Sequence, residues 1–450
     1  MYAVVTNLPS DDTTFEFAQI MTLVPLRIGL FGCGTVGGGV FQILESRAAF
    51  LKSIGVNATI EKICVRNATK PELVALVKGH STTITTKYDD ILDDSSINCI
   101  VELMGGVTDA KDVVFKAIQK NKHVITANKA LVANHMTELN ELLQAHPTVR
   151  FGYEASVCGG IPIIHTLQSS YSGDVIKEIA GIMNGTTNYM LSKMETEGES
   201  YEAVLKEAQD LGYAEANPSA DVDGFDVQAK IAILAKLGFG CVIPPSSIPT
   251  TGITRIKAID FEYAQLMHST IKLLGVAKRS NPHAPNEISV FVSPILVPRS
   301  NVIGSCGGAS NIVNVVSDNC INGAYVGQGA GRFPTANSVA NDIVRLAQGV
   351  VPPAAFAATQ QVTIQNDFAG KFYMRIRISD GLGIVRRVGE EAEKAGISID
   401  SILQLPIQDR RNVDFVVTTD VTQLSKVHVM AKGIEGLPFV LEPPLFLPIL

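Results

Sequence analysis

The chain has no tryptophan, only 6% aromatic and 18% charged residues, and yet 38 glycines in 450 positions. That balance favours an α/β protein built from Ala, Val and Ile with tight glycine turns. No Lys/Arg run is long enough to form a basic patch, and a formal charge of −7 with a pI near 5.7 argues against a nucleic-acid partner. Cys33, Cys64, Cys99, Cys158, Cys241, Cys306 and Cys320 are odd in number, scattered and free of any C-x-x-C. This spacing suits reduced, mostly buried thiols in a cytoplasmic protein better than a disulfide frame or a zinc site. The eight histidines form no H-x-x-x-H pair, so transition-metal chemistry lacks a ligand set. No apolar run approaches the length of a membrane span. Residues 1–25 contain Asp11, Asp12 and Glu16 but no Lys or Arg, so they lack the positive charge of a secretory or mitochondrial leader and read as an N-terminal extension.

The length suggests about three domains. From Leu26 a short apolar run, 26–31, leads into Gly32-Cys33-Gly34-Thr35-Val36-Gly37 and then a helical stretch. Strand, glycine turn and helix stand in the order a dinucleotide site requires. Gly32 permits the turn, Gly34 lets backbone amides approach a pyrophosphate at the helix N-terminus, and Gly37 permits close packing. A second strand over 59–65 ends at Arg66, with Lys70 shortly after, where an acid would usually accept a ribose hydroxyl. Arg66 is a natural partner for a 2′-phosphate, pointing to NADP, and as a solvated strand end it leaves NAD open. Strands at 99–104 and 123–126 run into Met104-Gly105-Gly106 and Ala127-Asn128-Lys129. Ligands bind at the carboxyl ends of such strands, which places Lys129 at the mouth of the cofactor crevice.

A second unit begins near residue 150 and holds Glu154, Val157, Gly159 and Ile161, a strand over 176–183 and a loop over 184–188. Its densest chemistry is Gly212-Tyr213-Ala214-Glu215, followed by Asp221, Asp223, Asp226 and Lys230. Helical propensity from Phe225 onward, closed by Gly238 as C-cap, puts Asp226 and Lys230 on one face with Ile233, Leu234 and Leu237. An exposed i,i+4 pair is the bland reading. A charged pair leading into an apolar stripe instead suggests a partly buried lysine with its pKa pulled down for proton transfer. Asp221 and Asp223 look more like helix-start acids favoured by the dipole. Gly327 to Ala336 forms a second glycine turn before a helix reaching Gln348, and Pro352-Pro353 opens a linker over 351–370.

In 371–450, Phe372, Met374, Ile376 and Ile378 alternate with Lys371, Tyr373, Arg375 and Arg377, the pattern of a half-buried antiparallel strand. A turn at Asp380-Gly381-Leu382-Gly383 leads to a helix with the stripe Ile384, Val385, Val388, Ala392 and Ala395. Strands at 397–405 and 413–419, a helix at 422–432 and a last strand at 439–447 complete a βαββαβ order.

These motifs together resemble homoserine dehydrogenase, in the single-function form with a C-terminal ACT domain. The likeness covers residues 26–450 and rests on 28–37, 101–106, 126–129, 181–186, 212–215 and 223–230. It implies a Rossmann-type NAD(P)-binding domain over 26–150 completed by about 325–350, an α+β catalytic and dimerisation domain over 151–324, and an ACT regulatory domain over 371–450. It implies interconversion of L-homoserine and L-aspartate 4-semialdehyde with NAD(P), in threonine, methionine and isoleucine biosynthesis. Residue by residue it makes Lys230 the proton donor, places Lys129 between nicotinamide and substrate, and has Glu215 and Asp226 bind the amino acid. Gly185, Thr186 and Tyr213 would line the substrate pocket. Thr35, Val36, Gly105, Gly212 and Gly331 would join Gly32, Gly34, Gly37 and Arg66 around the cofactor. Glu154, with the carbonyls of Val157, Gly159 and Ile161, would hold a structural Na+. The family forms dimers, and ACT domains can add tetramer contacts and bind L-threonine. Leu382 stands where ACT domains often place Pro, which weakens the threonine expectation. A non-catalytic NADP-linked amino-acid sensor, or an assembly protein, is the alternative reading.

Overall fold

The computed structural model describes residues 25–279, 284, 286–352, 354–356 and 358–450; the expected N-terminal extension falls outside these, save Pro25, and so does Pro353 of the linker. Strands β1 (Leu26–Phe31), β2 (Ala58–Cys64), β3 (Thr83–Thr85), β4 (Cys99–Glu102), β5 (His123–Thr126) and β6 (Phe151–Gly152) form one parallel sheet in the order β3-β2-β1-β4-β5-β6. The order reverses beside β1, so the loops after β1 and β4 border a crevice at the carboxyl edge, where doubly wound sheets bind ligands. β1 and β4 are buried nearly throughout, as strands covered by helices on both faces must be.

The helix Thr35–Ser53 lies across this sheet and meets the helix Arg332–Ala347, which returns from nearly 300 residues away in sequence. Glycine permits the approach: a Cβ on Gly39 would sit 2.9 Å from the Ala336 Cβ and 3.0 Å from the Arg332 carbonyl. Ala336, Val339, Ile343 and Leu346 therefore share one core with Leu26, Ile28, Val40 and Phe41.

The second sheet contains β7 (Ile176–Ile182), β8 (Ser269–Arg279), β9 (Glu287–Pro298), β10 (Ser310–Ser317) and β11 (Asn322–Gln328), joined antiparallel in the order β11-β10-β7-β8-β9. The helix Phe225–Phe239 packs on it where β8 carries Gly275; a Cβ there would meet Val227 at 2.8 Å and Ile231 at 3.2 Å. That helix does not end at Gly238 as expected. Gly238 is a packing glycine held against Ile179, and the left-handed C-cap is Gly240, at φ 70°.

Beyond the short β12 (Thr363–Ile364), which pairs with β9, the C-terminal part contains β13 (Ala369–Ile378), β14 (Ile399–Leu403), β15 (Val413–Thr419), the short β16 (Thr422–Gln423) and β17 (Leu445–Ile449). Helices Ile384–Ala395 and Leu424–Glu435 complete the βαββαβ order, with the strands arranged β17-β13-β15-β14. A parallel pairing of Ile449 with Leu296 joins them to β9, and Leu274, Val276 and Phe291 share a core with Phe372, Met374 and Phe415. Three expectations need correction here. The last strand begins at Leu445, because 437–440 form a turn closed by the Val440 N–H donating to the Leu437 carbonyl. Val385 is 54% exposed and lies off the helix stripe. β13 is buried on both faces, since Tyr373 and Arg375 point into the second unit, where the buried Asp260 receives them.

Candidate functional site

After β1 the chain turns through Gly32 at φ 89°, where a Cβ would lie 2.6 Å from the Leu103 carbonyl. Gly37 admits no side chain either, its Cβ position being 2.2 Å from the Gly32 carbonyl. At Gly34 the space is open to 4 Å, and no side chain caps the helix that starts at Thr35. A bare helix N-terminus with an open approach suits a pyrophosphate, so the residues present fit a dinucleotide. Across the crevice, the buried Glu102 accepts from the Met104 N–H (2.8 Å) and the Thr126 hydroxyl (2.6 Å). Asn128 donates to the Gly106 carbonyl at 2.6 Å and caps the helix Lys129–Asn134. These bonds fix the loops after β4 and β5 and set Lys129 at the first position of its helix.

Lys129 and Lys230 converge from the two units on one carboxylate. Asp226 Oδ1 lies 2.9 Å from Lys129 Nζ, and Oδ2 lies 2.7 Å from Lys230 Nζ. Lys230 also donates to the Met183 carbonyl at 2.6 Å. Asp226 and Lys230 are buried, whereas Lys129 is 41% exposed. Burial works against the Lys230 ammonium, but Asp226 outweighs it and holds the pKa above the ordinary lysine value. The depressed pKa expected from the sequence is thus not found: a carboxylate in contact wins over desolvation. For Asp226 burial favours the neutral acid, and the two lysines overcome it, so its pKa lies well below the usual range.

Asp221 belongs to the site as well. It shares with Asp226 the side-chain amide of Asn184, at 2.7 and 2.9 Å. Burial raises the Asp221 pKa, and the Asn184 bond offsets part of that. The loop expected at 184–188 is in fact the start of the helix Gly185–Glu197, with Asn184 as its N-cap, a signal readable from Asn before Gly-Thr-Thr.

A cavity of about 610 Å³ unites Val36, Lys129, Gly159, Gly185, Thr186, Gly212, Tyr213, Glu215, Asp221, Asp226, Lys230 and Gly331. A second cleft of about 690 Å³ opens from the same acids between the helices bearing Lys129 and Phe225. Thr186 donates to the Tyr213 carbonyl at 2.7 Å and the Tyr213 ring packs on Tyr189, which holds the Glu215 loop over the cavity. Gly105 and Arg66 lie outside this lining; Arg66 follows β2, exposed, and makes no ion pair among the described residues.

Beneath the cavity floor, Glu154 accepts from the backbone N–H groups of Ile164 (2.9 Å) and His165 (2.7 Å). His165 bridges Glu154 and Asp342, at 3.0 and 2.6 Å. Burial opposes the imidazolium, yet the two acids push its pKa up to about 9. The Gly159 and Ile161 carbonyls accept from the Ser338 hydroxyl and the Ile163 N–H, while that of Val157 takes no hydrogen bond among the described residues.

Two family models match the chain: one described as homoserine dehydrogenase, NAD binding domain, over residues 32–153, and one described as homoserine dehydrogenase over 162–344. The homoserine dehydrogenase of Synechocystis sp. is 38% identical over 413 residues, covering 88% of this chain and 93% of its own. That of Bacillus subtilis is 35% identical over 426 residues, covering 93% and 96%. A crystal structure of a homoserine dehydrogenase from Thiobacillus denitrificans superposes with a TM-score of 0.87 at 35% identity, over 95% of this chain and 98% of that one. Likeness of this extent shows that the chain belongs to the homoserine dehydrogenase family, oxidoreductases that act on a CH–OH group with a nicotinamide cofactor.

Proposed function

We propose that Lys230 moves the proton in the interconversion of L-homoserine and L-aspartate 4-semialdehyde, with Lys129 acting beside it at the junction of nicotinamide and substrate, while Asp226 and Glu215 bind and orient the amino acid. The observation that carries this reading is the convergence of Lys129 and Lys230 on Asp226 at the wall of one cavity that also contains Val36 of the glycine turn. When bound, a nicotinamide cofactor would supply the hydride for reduction of the aldehyde and accept it on oxidation of the alcohol. Lys230, kept protonated by Asp226, donates to the alkoxide oxygen as the aldehyde is reduced, and receives that proton back when the alcohol is oxidised. Lys129 adds a second positive charge where the alkoxide develops. Glu215 and Asp226 attract the substrate ammonium group, and Gly185, Thr186 and Tyr213 shape the wall. The test is NADPH formation from L-homoserine by wild type, Lys230→Ala and Glu215→Ala; unchanged rates in both variants exclude these roles.

The cofactor reading favours NADP, because Arg66 follows β2, exposed and with no carboxylate paired to it among the described residues. Gly32, Gly34, Thr35, Val36, Gly37, Gly105, Gly212 and Gly331 complete its surroundings in this reading, within a first domain over 26–150 closed by about 325–350. A structural Na+ at Glu154, Val157, Gly159 and Ile161 suits the charge there: two buried acids, Glu154 and Asp342, share one imidazolium. All four donors are oxygens, the chemistry a hard cation prefers. Melting in sodium chloride against choline chloride tests it.

The C-terminal βαββαβ order supports an ACT domain over 371–450, and titrating activity with L-threonine tests whether that domain regulates. A homodimer or homotetramer through the 151–324 sheet, in the cytoplasm, completes the proposal; among the described residues no helix is long and apolar enough to cross a membrane.

A further inference from the structure

We infer that Asn184 is a positioning residue that brackets the carboxylates of Asp221 and Asp226 and fixes their spacing on the substrate-facing wall; this rests on the homoserine reading of the same site. The geometry begins at the helix end. Asn184 Oδ1 accepts from the Thr187 N–H at 2.8 Å and from the Thr187 hydroxyl at 3.0 Å. This cap fixes which end of the amide faces which way, because only the oxygen can accept from Thr187. The NH2 end must then face the cleft. Its two protons meet two acids, Asp221 Oδ1 at 2.7 Å and Asp226 Oδ2 at 2.9 Å. Asn184 is itself buried, so neither bond competes freely with water.

The two acids stand in different electrostatic positions. Asp226 contacts Lys230 on its own helix and Lys129 from the cofactor unit. Asp221 pairs with no cation among the described residues, is half-buried, and faces the like charge of Asp226. Glu215 from the neighbouring loop adds a further negative charge to the same cavity, and Cys158 from the turn below faces Asp226 and Lys230. A neutral donor between two carboxylates stabilises both charges without cancelling either, whereas a lysine in its place would neutralise the wall that attracts an ammonium group. The cap and the bracket are made by opposite ends of one side chain.

Replacements that keep the cap and remove the bracket separate the two jobs. Asn184→Ser retains a good N-cap oxygen but offers at most one donor. Asn184→Asp also caps, and puts a third negative charge between the acids. In the full-length protein, Asn184→Ser should melt with wild type and bind NADPH with wild-type affinity. Its KM for L-homoserine should rise about tenfold, the worth of one charge-assisted hydrogen bond. Because the lost donors favoured the ionised acids, the acidic limb of kcat/KM should move to higher pH by about one unit. Asn184→Asp should move that limb further in the same direction. The inference is overturned if the limb stays in place in a variant that melts like wild type, or if the loss of activity merely follows the loss of stability. Should Asn184→Ser fail to fold, Asn184→Asp carries the test alone, with the same limb as readout. Absence of homoserine turnover in wild type would instead defeat the reaction assignment and is checked first.

Discussion

Two buried charge clusters form where the second unit meets its neighbours, and they are built for opposite ends. Around Asp226, two lysines and an amide meet one carboxylate, but the cluster lines an open cavity. Around Arg375, the guanidinium meets Asp260 (2.8 Å), Glu442 (2.9 Å), Asp414 (3.2 Å) and the Arg255 carbonyl (3.2 Å), and Tyr373 adds a bond to Asp260 at 2.7 Å. Asp260 also accepts from the Lys257 N–H at 2.8 Å. None of the residues of this second cluster lines the cavity of the first. Closure makes it a fastener between β13 and the helix Ala258–Leu266. Buried charge alone does not mark a catalytic group; buried charge beside a substrate-sized space does.

Removing one cation from each cluster should therefore fail in different ways. Lys230→Ala takes away the proposed acid/base and should lower kcat by about 10²–10⁴-fold. The fold should survive it, since Asp226 keeps Lys129 and Asn184 as partners. Steady-state kinetics paired with a melting curve reads both quantities, and a variant that loses stability but keeps kcat would put Lys230 among the fasteners. Arg375→Met leaves Asp260 buried without its cation, which should cost about 3–5 kcal/mol of stability. Denaturant titration measures this, and turnover per folded molecule should remain near wild type. A fall in turnover at full folding would mean that the fastener also shapes the cavity.

Arg66 supplies the third term of the contrast, a charge that is exposed and in no ion pair among the described residues. Arg66→Ala should leave stability unchanged, as surface substitutions usually do. The KM for NADPH should rise about tenfold, the value of a hydrogen bond to a charged group, while the KM for NADH stays put. Equal effects on the two cofactors would remove the 2′-phosphate from its role.

How much of this was legible in the chain follows from the range of each interaction. Asp226 and Lys230 lie one helical turn apart, so their pairing could be read directly. Lys129 followed from the rule about strand ends. The bracket is not legible locally, because Asn184 reaches acids 37 and 42 residues away in sequence. β13 misled for a related reason. Alternation of apolar and polar residues assumes one wet face, whereas Tyr373 and Arg375 find Asp260 from 113 and 115 residues away. Local periodicity reports which residues share a face. It does not report what that face meets, nor whether burial or the paired carboxylate prevails at Lys230, where Asp226 outweighs burial and raises the pKa that an apolar stripe alone would lower.

The smallest effect expected lies at the rim of the open cluster. Thr186 donates to the Tyr213 carbonyl, and this bond helps to hold the loop that carries Glu215. Thr186→Val keeps the side-chain shape and removes only the hydroxyl. The Tyr213 ring still packs on Tyr189, with centroids 4.8 Å apart. The bond is exposed, so water can replace the hydroxyl at the carbonyl, and the net loss should be about 0.5–1.5 kcal/mol. Expressed as binding, that is a rise of a few-fold to about tenfold in the KM for L-homoserine. The acid/base step should be untouched, since Lys230 takes its position from Asp226 and the Met183 carbonyl, neither of which is hydrogen-bonded to Thr186 among the described residues. An unchanged kcat with a raised KM would place the Thr186–Tyr213 bond on the binding side of the cleft. A fall in kcat of the size expected for Lys230→Ala would show instead that the loop and the lysine act as one unit.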